Sequence, residues 1–324
     1  MAIKRACGGS LRIFWLTVHE NTGVQGGFEM QKPNEIREHI LAVEQTKKIT
    51  GAMEMISSMR MRQVMGHIEH NRRYFTYIRR TMKEILTSSH EISHPYLVER
   101  ERKHCTYVVF SGDKGFCGAH NHNVLNFALE RIRNNAGCGV ITLGHTAESF
   151  FPAHDVMPDI FMRGIVQDPT LDRAREVAEE LTSLYERELT DEVRVIFTSF
   201  YGDTKRQPVE GRLLPLLLPD YDDVRDAEQM DEIMYHPSAQ AVFNGMVPQF
   251  VVGVMFGIMV QAYASEHFAR MTAMRSATTN AKDMIDELNT QYNLVRQSAI
   301  TNELAEIADA AEILKGASEY GSGY

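Results

Sequence analysis

The sequence predicts an α/β chain, with a long antiparallel coiled coil of its N- and C-terminal helices and a small middle domain built on a parallel sheet. Three observations point there: the placing of the prolines, apolar spacings of three and four at both ends, and strand-like runs alternating with helical ones between them. Proline is expelled from helix interiors by its missing N–H and its ring clash. None lies between Pro33 and Pro95 or after Pro248, and seven of the ten fall between 152 and 237.

The first 29 residues stand apart, with Lys4, Arg5 and Arg12, no acid before Glu20, and glycine-rich sequence running into Met30. Residues 1–30 are read as an N-terminal extension, with Met30 as the expected start of the chain proper.

Residues 31–95 read as the first long helix, with Ile36, Ile40, Val43, Ile49, Met53, Ile56, Ile78, Met82 and Ile85 at helical spacing. Residues 238–324 carry the second helix and a tail. Ala281, Ile285, Leu288, Tyr292, Val295 and Ala299 step alternately by four and three, the seam of a left-handed coiled coil. Ile300, Leu304, Ile307, Ala311 and Leu314 repeat the pattern after a one-residue shift, so that one face cannot meet the same partner throughout. If wholly helical, residues 34–90 would extend roughly 85 Å and residues 239–316 roughly 115 Å. The overhang of the longer one must find cover from another chain.

Residues 96–237 are differently built. Cys105–Phe110 and Gly139–Leu143 are short strand-like runs, with helical spacing over Asn121–Arg133 between them. A charged amphipathic helix over Leu171–Leu189 leads to a third strand at Val193–Phe200. Alternation of this kind predicts a Rossmann-like α/β domain. Residues 202–237 read as loop.

Composition bounds the function classes. The chain is 44% hydrophobic and 24% charged with a net charge of −9, ordinary for a globular protein and lacking the basic balance of a nucleic-acid binder. Phe250–Val260, the longest apolar run, is bounded by Gln249 and Gln261 and falls short of the roughly 20 residues of a membrane span. No direct membrane insertion is expected. Cys7, Cys105, Cys117 and Cys138 form no CxxC pair, which fits reduced thiols. The first helix opposes the whole chain in sign: Lys32–Leu86 holds eleven bases and six acids, a net of +5 that suits an acidic partner surface.

Two local constellations invite site readings. Ser111–Gly118 (SGDKGFCG) is a glycine-rich turn between strand and helix, but it is neither GxxxxGK[ST] nor GxGxxG. Tight turning is the better explanation, and no cofactor is expected. Cys117, His120 and His122 could ligate a metal, yet lack a distant fourth ligand, so a packing role is expected and no metal.

Four segments carry a family resemblance: Glu35–Gln63 (EIREHILAVEQTKKITGAMEMISSMRMRQ), Val108–Asn121 (VVFSGDKGFCGAHN), Ala264–Ala281 (ASEHFARMTAMRSATTNA) and Tyr292–Ile307 (YNLVRQSAITNELAEI). In this order and spacing the chain resembles the gamma subunit of F-type ATP synthases. The resemblance implies a non-catalytic central-stalk rotor that couples proton or sodium flow to ATP synthesis or hydrolysis. Its partners would be the F1 alpha and beta subunits, the epsilon subunit and the c-ring. It would be a peripheral membrane protein on the cytoplasmic face of a bacterial plasma membrane.

The family's rotor–stator contacts map onto Met53, Arg270, Gln297, Thr301 and Glu303. The twelve methionines on the two helices, adaptable side chains, suit a surface that packs against several arrangements. Met55 and Met59 cannot share the Met53 stripe, so some methionines must face outward. Gly51 stands where the family commonly has lysine, and nothing matches the regulatory dithiol insertion of chloroplast members, so thiol control of rotation is not expected. The rival reading is a coiled-coil scaffold or signalling protein that dimerises through its helices and binds a ligand in its α/β domain.

Overall fold

The computed structural model describes residues 33–88, 92–101, 104–135, 137–200, 206–217 and 235–320. The extension at 1–30, much of 202–237 and the last four residues lie outside this set. The chain divides into two units, one holding residues 1–45 and 282–324 and the other residues 46–281.

Five strands form the sheet of the larger unit: β1 (Cys105–Phe110), β2 (Gly139–Leu143), β3 (Ile160–Met162), β4 (Glu192–Thr198) and β5 (Pro208–Leu214), in the order β3-β2-β1-β4-β5. β1 pairs in parallel with both β2 and β4, and β2 pairs in parallel with β3. β5 runs antiparallel beside β4, so the expected parallel sheet carries one antiparallel edge. That edge lies within the stretch read as loop. Pro208, Glu210, Gly211 and Arg212 dilute its apolar alternation, and it is buried fully only at Leu213 and Leu214.

The central strands read as continuous apolar runs because both faces of the sheet are covered. Val108, Phe110, Ile141, Leu143, Val193 and Val195 point to one face, and Tyr107, Val109, Val140 and Ile196 to the other. On the second face lies α2 (His120–Asn134), buried through Val124, Leu125, Ala128, Leu129 and Ile132. The short α3 (His145–Phe150) joins it there through Ala147. On the first face α4 (Leu171–Glu186) contributes Ala174, Val177, Ala178, Leu181 and Tyr185. Thr170 caps α4, its hydroxyl accepting from the Arg173 amide at 3.3 Å. Gly144, before α3, has φ of +105°, and a Cβ there would lie 2.1 Å from the Ser111 carbonyl oxygen. Only glycine fits so close an approach.

α1 (Pro33–Ser88) and α5 (Ala239–Tyr320) are the two long helices. Pro33 opens α1, where its missing N–H costs nothing, and Glu35 in the first turn complements the helix dipole. α5 contains Pro248 in its interior, so proline does not mark its boundary. The flanking Val247, Phe250 and Val251 are core residues, and their burial offsets one lost backbone hydrogen bond. An 18-residue window of α5 has mean hydropathy 1.7, long and apolar enough to cross a membrane by composition, yet half of it is buried within the chain. Phe243, Val247, Val251, Met255 and Met259, four residues apart, are all fully buried in the core beside the sheet.

Within the larger unit the helices run antiparallel. Phe75 meets Phe250 edge to face, Arg275 pairs with Glu54 at 2.8 Å, and Thr278 Oγ1 donates to Thr50 Oγ1 at 2.8 Å. Buried positions recur every seventh residue, at Thr50, Ser57 and Val64 on α1 and at Val260, His267, Met274 and Ala281 on α5. This is the coiled-coil period, but on α1 the seam falls one residue beyond two of the expected positions. Ile49 and Ile56 are 61% and 49% exposed. The small hydroxyls of Thr50 and Ser57 occupy the buried places instead.

In the smaller unit Ile36 and Val43 on α1 and Leu288 on α5 are buried. Ile285, Tyr292, Val295 and Ala299 are half-buried, as the stepped seam predicts. From Ile300 to Ala311 every α5 residue is exposed.

Candidate functional site

In doubly wound sheets the ligand crevice opens at the carboxyl ends of the strands where the strand order reverses. Here that point lies between β1 and β4, and α5 crosses it. Ser265 Oγ donates to the Thr198 carbonyl at 3.1 Å, and Gln261 Oε1 accepts from the Phe200 amide at 3.5 Å. Both Ser265 and the following Glu266 are buried.

The glycine-rich turn after β1 is held against this helix. Arg270, only 5% exposed, donates to the Lys114 carbonyl at 3.0 Å and the Gly115 carbonyl at 3.1 Å, and pairs with Glu266 at 2.5 Å. The Gly112 amide donates to Asn121 Oδ1 at 3.0 Å, and a Cβ at Gly112 would collide with Asn121 and Glu266. Asn121 in turn donates to the Lys114 carbonyl at 3.3 Å. Two of the turn's carbonyls and an amide are thus satisfied inside the protein, so the turn is a clasp on α5.

Burial and the neighbouring cation set the titration of this junction. Burial, then the field of Arg270, pushes His120 down to about 4, and the same causes with Arg60 and Lys114 push His267 down to about 3. Both rings are neutral at pH 7. Burial raises the Glu266 carboxyl against the opposing pull of Arg270. Beside the clasp is a cleft of about 480 Å³ lined by Arg60, Lys114, Arg173 and Arg270 and by Asp113, Asp168 and Glu266, a mixture of signs with no single-charge preference. Burial also raises the Cys117 thiol. Among the described residues no three His, Cys, Asp or Glu side chains come together as a metal site.

The other expected site residues lie on the helices. Met53 is half-buried on α1, with exposed Met55 and Met59 beside it at 73% and 61%. Gln297, Thr301 and Glu303 are exposed on α5, and Thr301 Oγ1 donates to the Gln297 carbonyl of its own helix at 2.9 Å. The five residues therefore occupy no single pocket. Arg270 is enclosed at the sheet junction, and Gln297, Thr301 and Glu303 form one exposed stretch. Glu266, Asn121 and Gly112 complete the clasp and were not singled out from sequence. Glu266 lies one turn before Arg270, an i,i+4 pair that sequence alone offers as a cue.

A family model described as ATP synthase matches residues 32–314. The ATP synthase gamma chain of Acetivibrio thermocellus is 33% identical over 294 residues, covering 87% of this chain and 99% of the relative. That of Caldanaerobacter subterraneus is 34% identical over 295 residues, covering 86% and 99%. Among solved structures, a rotor chain of the Euglena gracilis mitochondrial ATP synthase superposes with TM-score 0.60 at 16% identity, over 83% of this chain and 98% of that one. A central-stalk chain of the Tetrahymena thermophila enzyme gives TM-score 0.55 at 20% identity, over 71% and 99%. At these identities the structural likeness is one of fold.

Proposed function

The chain belongs to the ATP synthase gamma family, and from that premise we propose that it is a central-stalk rotor coupling transmembrane proton or sodium flow to ATP synthesis or hydrolysis. ATP chemistry belongs to the alpha/beta ring, and this chain contributes no catalytic group. Its further partners are the epsilon subunit and the c-ring. Its place is peripheral, on the cytoplasmic face of a bacterial plasma membrane, a reading supported by the bacterial sources of the relatives.

The observation that carries this reading is the uncovered stretch of α5. Leu304 and Ile307 are 61% and 65% exposed, and every residue from Ile300 to Ala311 is exposed. A helix bare on all sides draws most of its stability from packing supplied by a partner. A surrounding ring provides that. Gln297, Thr301 and Glu303 would supply the polar contacts there, and Met53 with exposed Met55 and Met59 would meet the beta subunits lower down. Arg270 would act from inside, holding the sheet domain to the helix that turns with it.

Affinity purification of the tagged full chain from its own cells tests the assignment. Co-elution of alpha and beta subunits is the expected result. Recovery as a homodimer free of both would support the scaffold reading and overturn this one.

A further inference from the structure

Cys105 opens β1 and Cys138 immediately precedes β2. The parallel register pairs Thr106 with Gly139, so the two cysteines occupy the next places along neighbouring strands. Parallel strands lie about 4.8 Å apart, and a disulfide accepts Cα separations of about 4.4–6.8 Å. Both side chains pack against the α2 side of the sheet, and both are half-buried. Neither takes part in the clasp at the opposite ends of the strands.

We propose that Cys105 and Cys138 form a reversible disulfide, making this edge of the β1–β2 pair a site that a hydroperoxide oxidises and a dithiol reductant restores. The chemistry balances with hydrogen peroxide as the oxidant. The Cys138 thiolate attacks one peroxide oxygen, the O–O bond breaks, and the departing hydroxide takes up a proton as water, leaving Cys138 as sulfenic acid. The Cys105 sulfur then attacks the Cys138 sulfur, the S–O bond breaks, and hydroxide leaves with the Cys105 proton as a second water. Two thiols lose two electrons and two protons in all, and one peroxide becomes two waters.

Cys138 is the first to react: burial raises both thiols, but the neighbouring Cys138 raises that of Cys105 further, whereas the neighbouring Cys105 lowers that of Cys138. Burial raises both thiols, so the reaction is slower than at a free cysteine. Cys117, 4% exposed, provides an internal reference that stays reduced.

The test treats the full chain in its native complex with hydrogen peroxide, blocks remaining thiols by alkylation, and maps peptides by mass spectrometry. The expected product is a peptide linking Cys105 to Cys138, about 2 Da lighter than the two reduced peptides together and lost after dithiothreitol. In Cys105→Ser the resolving thiol is gone, and Cys138 accumulates as sulfenic acid trapped by dimedone. Recovery of both cysteines only singly alkylated, or separately oxidised to sulfinic acid, would overturn the proposal. So would dimedone labelling of Cys138 that is as strong in the parent as in Cys105→Ser. Should that variant fail to assemble, the linked peptide in the parent decides alone.

Discussion

His120 and His267 stand beside the Arg270 clasp, and burial keeps both neutral, with folded values of about 4 and about 3. Unfolded histidine titrates near 6.5. Between these values the unfolded chain binds more protons than the folded one, so stability is full above about pH 7 and falls as the pH drops. From pH 7 to pH 5 each ring costs about 2 kcal/mol. Glu266, raised by burial, opposes this trend. His120→Asn should therefore lose less stability between pH 7 and pH 5 than the parent, read as a smaller shift of the urea midpoint. Equal shifts in both would show that His120 is not held neutral by the fold. Sequence alone singled out Arg270 and the glycine-rich turn, but not that they meet. That contact joins residues some 155 positions apart and exists only once α5 lies across the strand ends.

Among the elements, those whose burial is one-dimensional were the most legible. The core strands were visible as apolar runs, α2 as helical spacing and the α5 seam as an alternating step, because each pattern reports directly which side is covered. β5 was not visible, since an edge strand covered on one side and rich in charge resembles loop. The α1 seam was misplaced by a residue because Ile49 and Ile56 look like core, yet Thr50 and Ser57 are buried. Exposed isoleucines on a helix that already has a seam mark a second apolar face. The bare stretch of α5 makes an elemental prediction. Ending the chain before Ile300 removes a stretch whose described residues, Ile300 to Ala311, are all exposed, so the sheet domain should melt within a degree or two of the parent. ATP-driven ion pumping per ATP hydrolysed should fall at the same time. A domain destabilised as much as coupling is weakened would remove the reason for calling that stretch a shaft.

At the scale of the whole molecule, a net charge of −9 hides a division of labour. One unit carries the sheet with apolar layers on both faces, and α5 serves it as a core helix for its first five turns and more. The same helix then continues as coiled coil and ends uncovered. One element thus belongs both to the core and to an exposed stretch, and Arg270 with the glycine-rich turn fixes the sheet domain to it. Torque delivered to the domain would pass to the helix through that buried contact. The α5 residues from Phe243 to Ala262 also share one core with the sheet, so domain and helix form one packed body. The most direct measurement is of motion. With the complex immobilised through its beta subunits and a reporter attached at exposed Glu179 on α4, added ATP should drive continuous rotation of the reporter in one direction. A reporter that holds one orientation while the same complexes hydrolyse ATP would contradict the account.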